Sequence, residues 1–393
     1  MEHRYQVDAR ALGGLLADEP TYRLGQVWDG LYRQLLEPRD MTDLPQGLRQ
    51  RLEAELPPAL EVVTEQESDG GDTRKWLWCL DDGARIETVL MHYRDRSTVC
   101  VSSQAGCAMA CSFCATGQGG FERNLSVGEI VEQVVVAARA TRPRRLSNVV
   151  FMGMGEPLAN YDRVWGAIRR IHDDLGLSAR HLTVSTIGVV AGIDRLAHEE
   201  LPVNLAVSLH SANDHDRDRL VPLNRRYPLA AVAAACQRYV DASGRRLSFE
   251  WALIDGVNDQ PAHAGELAAI AGPLLAHVNL IPLNPTPGYA TPGTPPAGVD
   301  AFRRRLLALG VNATVRRNRG TGIDAACGQL RRAADPQRVA TVRRSPTRMA
   351  STSVSPAPTT PPGHTTERTT EPQTRAPSPT TEAPPDAERL AKR

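Results

Sequence analysis

The chain of 393 residues carries a formal net charge of +1 and is 41% hydrophobic. This length suits one large domain with additions, and this hydrophobic content can build a substantial core. No apolar run reaches the length of a membrane span, and the N-terminus lacks the basic-then-apolar pattern of a secretory signal. We therefore predict a cytoplasmic protein without membrane contact, whose seven cysteines stay reduced and serve metal binding or catalysis.

Residues 1–57 are predicted to form a small helical module. Leu31 and Leu35 belong to an apolar series at helical spacing that Pro38 stops, and a further helical stretch ends before Pro57. The module is too small to be a catalytic domain. A packing role and an RNA-docking role both fit this pattern.

Residues 58–97 are predicted to form a β-hairpin extension. Three runs rich in Val, Ile, Trp and Tyr are separated by the turn sequences SDGGD and DDG. Cys79, in the second run, is predicted to lie in the core. Glu87 lies in the third run, and its spacing alone favours a position that faces solvent.

Residues 98–335 are predicted to form successive βα units, because short β-branched runs alternate with helical runs. The predicted strands are TVCVSSQ, SNVVFMG, HLTVSTIG, VNLAVSLH, LSFEWALIDG, HVNLIPLN and NATVRRN. The first long helix follows a capping box formed by Ser126 and Glu129. This repetition indicates an α/β fold with a full or partial parallel barrel, whose active site lies at the carboxyl ends of the strands.

Cys107, Cys111 and Cys114 form a C-x3-C-x2-C motif directly after the first of these strands. Three thiolates in so short a loop can bind three irons of a cubane iron–sulfur cluster and leave the fourth iron open to a small molecule. Zinc binding with a histidine and disulfide formation are the alternatives. The spacing matches neither paired C-x2-C units nor an H-x3-5-H motif, and no secretory signal supports disulfides.

Polar and glycine residues gather at the predicted carboxyl ends of several strands. Because parallel strands end at the same edge of a sheet, these residues form a candidate pocket, and Glu156 could bind an amine. For His210 alone, a core position is an equally good interpretation. The residues at these ends are Gly155, Glu156, Ser185, Ser208, Leu209, His210 and Asn284.

Two cysteines and a basic region lie outside these groups. Cys236 is predicted to be buried on a helix, whereas Cys327 lies in a loop of small residues that leaves its sulfur accessible; a small buried cysteine is the alternative. Residues 301–348 hold twelve arginines and two acidic residues, which indicates a polyanionic partner or a solvated surface in an arginine-biased chain. Residues 336–393 are basic and then rich in Pro, Thr and Ser, and we expect a disordered tail.

Six motifs together resemble those of one enzyme family, the radical S-adenosylmethionine (SAM) RNA adenine methyltransferases of the RlmN/Cfr type. This family methylates one adenosine of 23S rRNA, and its C2-specific branch, the one this chain resembles most, also methylates tRNA. The resemblance covers residues 1–335 and leaves the tail outside. The motifs are CVSSQAGCAMACSFCATG, VFMGMGEPLAN, VSTIG, AVSLH, LIPLNPTPG and GIDAACGQL.

The resemblance implies a cofactor set and its binding residues. Cys107, Cys111 and Cys114 would hold a [4Fe–4S] cluster, and two SAM molecules would be used per turnover. The expected electron donor is a flavodoxin or ferredoxin, and the expected oligomeric state is a monomer. The implied SAM contacts are Gly155, Glu156, Ser185, Ser208, Leu209, His210 and Asn284.

The resemblance also implies roles for three further residues. Cys327 would carry a methyl group and become joined to the adenine ring, and Glu87 would remove the ring proton. Cys100 would then attack the Cys327 sulfur, form a disulfide and release the RNA. Arg316, Arg317 and Arg319 beside this loop would contact phosphates, which position an RNA without reading its sequence.

Three alternatives to C2 methylation stay open at the level of sequence. The quoted motifs are shared with the branch that methylates C8 of the same adenosine. A radical SAM enzyme acting on a protein or small molecule leaves Cys100, Cys327 and the basic region unexplained. A non-catalytic zinc-dependent RNA-binding protein would use the same cysteines for a structural metal.

Overall fold

A computed structural model of the protein describes residues 2–284, 288–316 and 328–334. The predicted disordered tail and the predicted methyl carrier, Cys327, lie outside these residues. Within the described part of the chain, no helix is both long enough and apolar enough to span a membrane.

The N-terminal region contains three helices, α1 (Ala9–Leu15), α2 (Tyr22–Tyr32) and α3 (Gln46–Glu55). Asp8 caps α1 by accepting a hydrogen bond from the Ala11 N–H at 2.7 Å. Leu31 of α2 is fully buried in the same hydrophobic core as the strands further along the chain. The helical prediction for this region is therefore correct, and its apolar faces pack on the rest of the protein.

In the described residues, strands form one ten-stranded mixed sheet and one small antiparallel pair. The sheet contains β1 (Glu61–Ser68), β2 (Thr73–Cys79), β3 (Arg85–His92), β4 (Ser97–Cys100), β7 (Asn148–Phe151), β8 (Leu182–Thr186), β9 (Asn204–Ser208), β10 (Ser248–Leu253), β11 (His277–Pro282) and β12 (Ala313–Val315), and the separate pair is β5 (Gln104–Gly106) with β6 (Phe121–Asn124). Strands β1–β4 are antiparallel neighbours. Strand β4 then pairs in parallel with β7, and the strands from β7 to β12 follow one another in parallel and in chain order.

Helices connect the parallel strands, as βα units require. The first long connecting helix begins with the predicted capping box, in which Ser126 and Glu129 exchange side chain to backbone hydrogen bonds of 3.2 and 2.7 Å. The remaining helices are α4 (Ala115–Gln118), α5 (Val127–Ala140), α6 (Tyr161–Asp173), α7 (Val190–Ala197), α8 (Asp214–Leu220), α9 (Leu229–Ser243), α10 (Pro261–Ala271), α11 (Pro296–Ala308) and α12 (Gln329–Ala334). Short 3-10 turns occupy Pro38–Asp40, Asp69–Gly71, Pro157–Asn160, Ala179–His181 and Pro222–Arg225.

The parallel strands curve around a cavity of about 790 Å³. Residues from β3, β4 and every strand from β7 to β12 line it. Arg316, just after β12, reaches back to β3, where its Nη2 lies 3.9 Å from the Met91 sulfur. The last strand therefore approaches β3 across the cavity, and the predicted α/β class with a partial parallel barrel is confirmed.

Candidate active site

The cysteine loop lies between β5 and β6, which hold its two ends together. The Cys107 N–H donates to the Gly120 carbonyl at 2.8 Å, and the Cys114 N–H donates to the Cys111 carbonyl at 3.2 Å. Cys107 and Cys111 are buried, whereas Cys114 is half-buried. The loop therefore presents three thiols from a backbone that is fixed at both ends.

Burial disfavours negative charge on these thiols. It raises the pKa of Cys107 to about 12, and it raises the pKa of Cys111 well above its ordinary value of 9.0. Coulomb repulsion from Cys114 and Glu156 adds to both shifts, so these side chains lie close together. Thiolates in this loop need a bound cation to offset the cost of burial.

Glu156 follows β7 in the chain and hydrogen-bonds to the backbone just after β8. Its buried carboxylate accepts hydrogen bonds from the Leu158 N–H at 3.1 Å and the Ile187 N–H at 2.9 Å. Burial raises the pKa of Glu156 to about 7. The preceding Gly155 has a φ of +102°, and a Cβ there would come within 2.5 Å of the Gln104 side chain, so the close approach requires glycine.

The ends of β8 and β9 place two hydroxyl groups side by side, since the Oγ atoms of Ser185 and Ser208 are 3.4 Å apart. Leu209, the next residue, is fully buried. Its N–H donates to the Glu250 carbonyl at 3.0 Å, and its carbonyl accepts from Arg217 Nε at 3.0 Å. The strand ends are therefore held by backbone contacts as well as by packing.

His210 contributes to both packing and the cysteine loop. Its Nδ1 accepts a hydrogen bond from the Ala252 N–H at 3.0 Å. Its ring packs edge-on against the Phe113 ring, with 4.8 Å between the two ring centroids. Burial, with a smaller contribution from Arg217, lowers the pKa of His210 to about 3. The imidazole is therefore neutral at physiological pH, and its proton is on Nε2.

Glu87 is buried on β3, so the solvent-facing position favoured by spacing alone is wrong. Its Oε2 lies 2.9 Å from Lys75 Nζ and accepts the Gly328 N–H at 2.7 Å, while its Oε1 accepts the Arg331 N–H at 2.7 Å. Gly328 is the residue after Cys327. The carboxylate is therefore bound directly to the chain segment that follows the predicted methyl carrier.

Gly328 also contacts the cysteine loop. Its φ is +86°, and a Cβ on it would lie 2.5 Å from Thr116 Oγ1 and 2.7 Å from the Thr116 nitrogen. Thr116 belongs to α4, which begins directly after Cys114. Because Gly328 touches both Glu87 and Thr116, the described structure brings the cysteine loop, the carboxylate and the neighbour of Cys327 together.

Comparison with known proteins gives the family. Residues 101–267 match the model of the radical SAM superfamily. The chain is 56% identical over 337 residues to the probable dual-specificity RNA methyltransferase RlmN of Parafrankia sp. (strain EAN1pec), covering 81% of this chain and 87% of the relative. It is 54% identical over 344 residues to the protein of the same name from Frankia alni, covering 84% of this chain and 82% of the relative.

The chain belongs to the RlmN family of radical SAM RNA methyltransferases. The crystal structure of a radical SAM methyltransferase from Sphaerobacter thermophilus agrees with this assignment. It is 50% identical, has a TM-score of 0.80, and the match covers 84% of this chain and 99% of that one.

Radical SAM proteins such as the RlmN family use a [4Fe–4S] cluster and SAM, and the cysteine loop fits the cluster. It offers three adjacent thiols, and burial raises the pKa of two of them, Cys107 and Cys111, so that their ionisation needs a nearby cation. Among the described residues, no three His, Cys, Asp or Glu side chains form a group that could hold a metal ion. A cubane does not need such a group, because its cysteines bind separate irons.

The remaining cysteines of this RlmN-family chain are buried or half-buried where the structure describes them. Cys100 of β4 is buried and packs with Val89 and Met91. Cys236 is buried on α9 as predicted, whereas Cys79 is half-buried rather than core. No disulfide joins two of the six described cysteines, and the expected partner of Cys100 lies outside the described residues.

Arg316 is one of the three residues expected to contact phosphates. It is half-buried and lines the barrel cavity, where Glu250 and Met91 also lie. Its guanidinium is therefore directed toward the barrel interior. Arg317 and Arg319 lie outside the described residues, as do residues 285–287 of the motif that contains Asn284; Asn284 itself is half-buried.

Sequence reasoning missed two buried cations of the site. Arg217 of α8 donates to the Ile187 carbonyl at 2.6 Å and supports the ends of β8 and β9. Lys75 pairs with Glu87. A signal for Lys75 was present, because Lys75 and Lys392 are the only lysines of the chain, but the rarity of lysine does not by itself indicate where Lys75 lies.

Proposed function

We propose that this chain methylates C2 of a specific adenosine in 23S rRNA and in tRNA, with Cys327 as the methyl carrier. The observation that carries the proposal is the hydrogen bond of 2.7 Å from the Gly328 N–H to Glu87. Gly328, the residue after the proposed carrier, thereby contacts a buried carboxylate, and it also contacts Thr116 next to the cysteine loop. The dual-specificity name of the relatives supports both RNA substrates.

The cofactor residues follow from the same assignment. Cys107, Cys111 and Cys114 would hold the cluster, and a flavodoxin or ferredoxin would be the electron donor. When bound, the cluster and two SAM molecules per turnover supply a methyl group and the one-electron chemistry that activates it. The residues assigned to SAM binding are Gly155, Glu156, Ser185, Ser208, Leu209, His210 and Asn284.

The proton and bond changes at the RNA are the work of three side chains. Adenine C2 is electron-poor and therefore cannot displace a methyl group from SAM directly. The methyl carbon carried by the Cys327 sulfur must instead be joined to the ring first, which links the RNA to Cys327. Glu87 then accepts the ring proton from this adduct. Attack by the Cys100 thiolate on the Cys327 sulfur forms an S–S bond and breaks the sulfur–carbon bond. The electron pair stays on the product carbon, which takes up a proton.

RNA binding combines phosphate contacts with extrusion of the target base. The arginines of residues 301–348 other than Arg316, which lines the barrel cavity, and Arg331, which is buried and pairs with Glu122, provide the positive charge for sequence-independent contacts. An adenine within a folded RNA must leave its stack before a buried carboxylate and a cysteine can reach C2. The burial of Glu87 supports this requirement, because a base on the surface could not contact it.

Mass spectrometry of RNA from a deletion strain tests the proposal. The strain should lack C2-methyladenosine in 23S rRNA and tRNA, and a plasmid with the intact gene should restore it, whereas a Cys327→Ala gene should not. Loss of the methyl group at C8 would assign the antibiotic-resistance branch. Unchanged RNA in the deletion strain would contradict the function.

A further inference from the structure

Lys75 and Glu87 form an ion pair with almost no access to solvent. Their side chains are 0% and 1% exposed, and Nζ lies 2.9 Å from Oε2. In the β2–β3 register Glu87 is opposite Leu77, and Lys75 is opposite Val89. The two charges are therefore diagonal neighbours on one face of the antiparallel pair, within reach of each other without a change in backbone.

The choice of lysine at this position is unusual for this chain. Only Lys75 and Lys392 are lysines among 46 basic residues. Another buried cation of the protein is an arginine, Arg4, whose partners Glu37 and Glu53 are half-buried. Lysine presents a compact charge on a flexible stem, and it leaves the remaining acceptor positions of a carboxylate open, whereas the arginine fork tends to occupy both oxygens.

Two further contacts of the Glu87 carboxylate both come from the segment after Cys327. Gly328 and Arg331 each donate a backbone N–H at 2.7 Å. Both donors belong to one short segment, so a shift of Gly328 and Arg331 away from Glu87 would remove both together. A buried carboxylate that loses its donors carries a large desolvation cost unless a charge remains beside it. Lys75 remains, because β2 is paired with β1 on one side and β3 on the other.

We propose that Lys75 is a positioning residue of the methylation reaction, which holds the Glu87 carboxylate in place and charge-balanced while Glu87 accepts the ring proton. The inference rests on the proposed function, since it assigns the pair to the step in which Glu87 accepts the ring proton. It predicts that loss of the Lys75 charge impairs that step and leaves the earlier loading of Cys327 intact.

The test compares Lys75→Met with Lys75→Arg and with Arg4→Met. Arg4→Met is the matched control, because Arg4 is also a buried cation, with a side chain 1% exposed, and it pairs with Glu37 and Glu53 in the N-terminal region. Each full-length enzyme is purified anaerobically from cells. Four quantities are measured: iron content, the methyl group on the Cys327 peptide after ribonuclease treatment, ribonuclease-sensitive enzyme–RNA adduct, and methylated RNA.

Lys75→Met should retain iron and a modified Cys327, accumulate adduct, and form methylated RNA about tenfold or more slowly, as expected for a misplaced general base. Lys75→Arg should recover part of the rate because it restores the charge. Arg4→Met should show no accumulation of adduct. If Lys75→Met loses iron and Cys327 modification, or behaves like Arg4→Met, Lys75 serves the fold and the proposal is wrong.

A double-mutant cycle keeps the proposal falsifiable even if Lys75→Met is unstable. If Lys75 acts through Glu87, then Lys75→Met should slow RNA methylation no further in a Glu87→Gln background than Glu87→Gln does alone. Additive losses would overturn the inference. If the enzyme without any substitution carries no methyl group on Cys327, the proposed function is wrong. The proposed role of Lys75 is then wrong as well.

Discussion

The Glu87 carboxylate accepts the Gly328 N–H at 2.7 Å, although 241 positions separate the two residues in the chain. Gly328 in turn packs on Thr116, next to the cysteine loop. One glycine therefore connects the antiparallel hairpin, the loop for the cluster and the segment that follows Cys327. The candidate site depends on this contact, and the contact can be tested.

Gly328→Ala should impair RNA methylation more than it impairs folding. The added methyl group would lie 2.5 Å from Thr116 Oγ1 and 2.7 Å from the Thr116 nitrogen, and the φ of +86° is unfavourable for alanine. Gly310→Ala is the control, because Gly310 has a φ of +79° and a Cβ added there would meet nothing within 4 Å. Backbone strain should cost both variants about 1–2 kcal/mol of stability, measured by denaturant unfolding, and the Thr116 contact should add to this cost in Gly328→Ala alone. Equal activity of the two variants would show that the Thr116 contact is unimportant.

Glu87→Gln should slow formation of methylated RNA by about 10²–10⁴-fold, the usual contribution of a general base. Iron content and methylation of Cys327 should stay unchanged, because neither needs a proton acceptor at the RNA. Glu122→Gln is the control, since Glu122 pairs with the Arg331 side chain of the same segment, whereas Glu87 accepts the Arg331 backbone N–H. A Glu87→Gln enzyme with a normal rate would remove Glu87 from the reaction.

Cys111→Ala should abolish iron incorporation and SAM cleavage together, because two thiolates hold a cubane poorly. Cys236→Ala is the matched control. Cys236 is also buried, but it lies on α9 and outside the cysteine loop. Iron and acid-labile sulfide assays on anaerobically purified protein measure the difference. An iron-replete and active Cys111→Ala enzyme would contradict the assignment of the cluster ligands.

The buried His210 should make stability fall as the pH falls. Because its pKa is lowered from 6.5 to about 3, the unfolded chain binds a proton in this range that the folded protein does not. The contribution of His210 to the free energy of unfolding is complete above pH 6.5. Below that pH it decreases by up to about 1.4 kcal/mol per pH unit. Glu156 acts oppositely, since its pKa rises from 4.5 to about 7, so stability from this group falls as pH rises through that range.

Comparison with His210→Gln separates the two effects, because Glu156 is present in both proteins. Thermal unfolding is measured anaerobically for both proteins at about pH 6.5 and about pH 5.5. As the pH falls between these values, the Tm of the protein with His210 should decrease more than the Tm of His210→Gln. The same decrease in both would mean that His210 does not titrate as its burial implies.

The barrel strands could be predicted because buried parallel strands are short runs of β-branched residues, a local signal. The runs around Val149, Val184 and Val207 all became strands. Four short helices, α4, α7, α8 and α12, and the β5–β6 pair were not predicted. Their formation depends on packing against neighbours, and segments of three to eight residues carry little periodicity of their own.

The Lys75–Glu87 pair shows why the site could be predicted only in part. A two-residue turn at Asp82 and Gly83 would pair the strands one position away from the observed register. The observed loop has three residues, with Gly83 at a φ of +75°, and the Leu80 N–H donates to the Ala84 carbonyl. A slip of one residue sends side chains to the opposite face of a strand, so the pair could not be deduced from composition or spacing.

Cys100→Ala tests the central claim most directly, because it should stop the reaction after the RNA has become joined to Cys327. Without the Cys100 thiolate, nothing attacks the Cys327 sulfur to release the product. The measurement is a denaturing gel of Cys100→Ala purified from cells, with and without ribonuclease, beside the Cys100→Ala/Cys327→Ala double variant. We predict a slow-migrating, ribonuclease-sensitive band that the double variant lacks. Cys100→Ala enzyme without attached RNA, in cells whose RNA is fully methylated, would contradict the account.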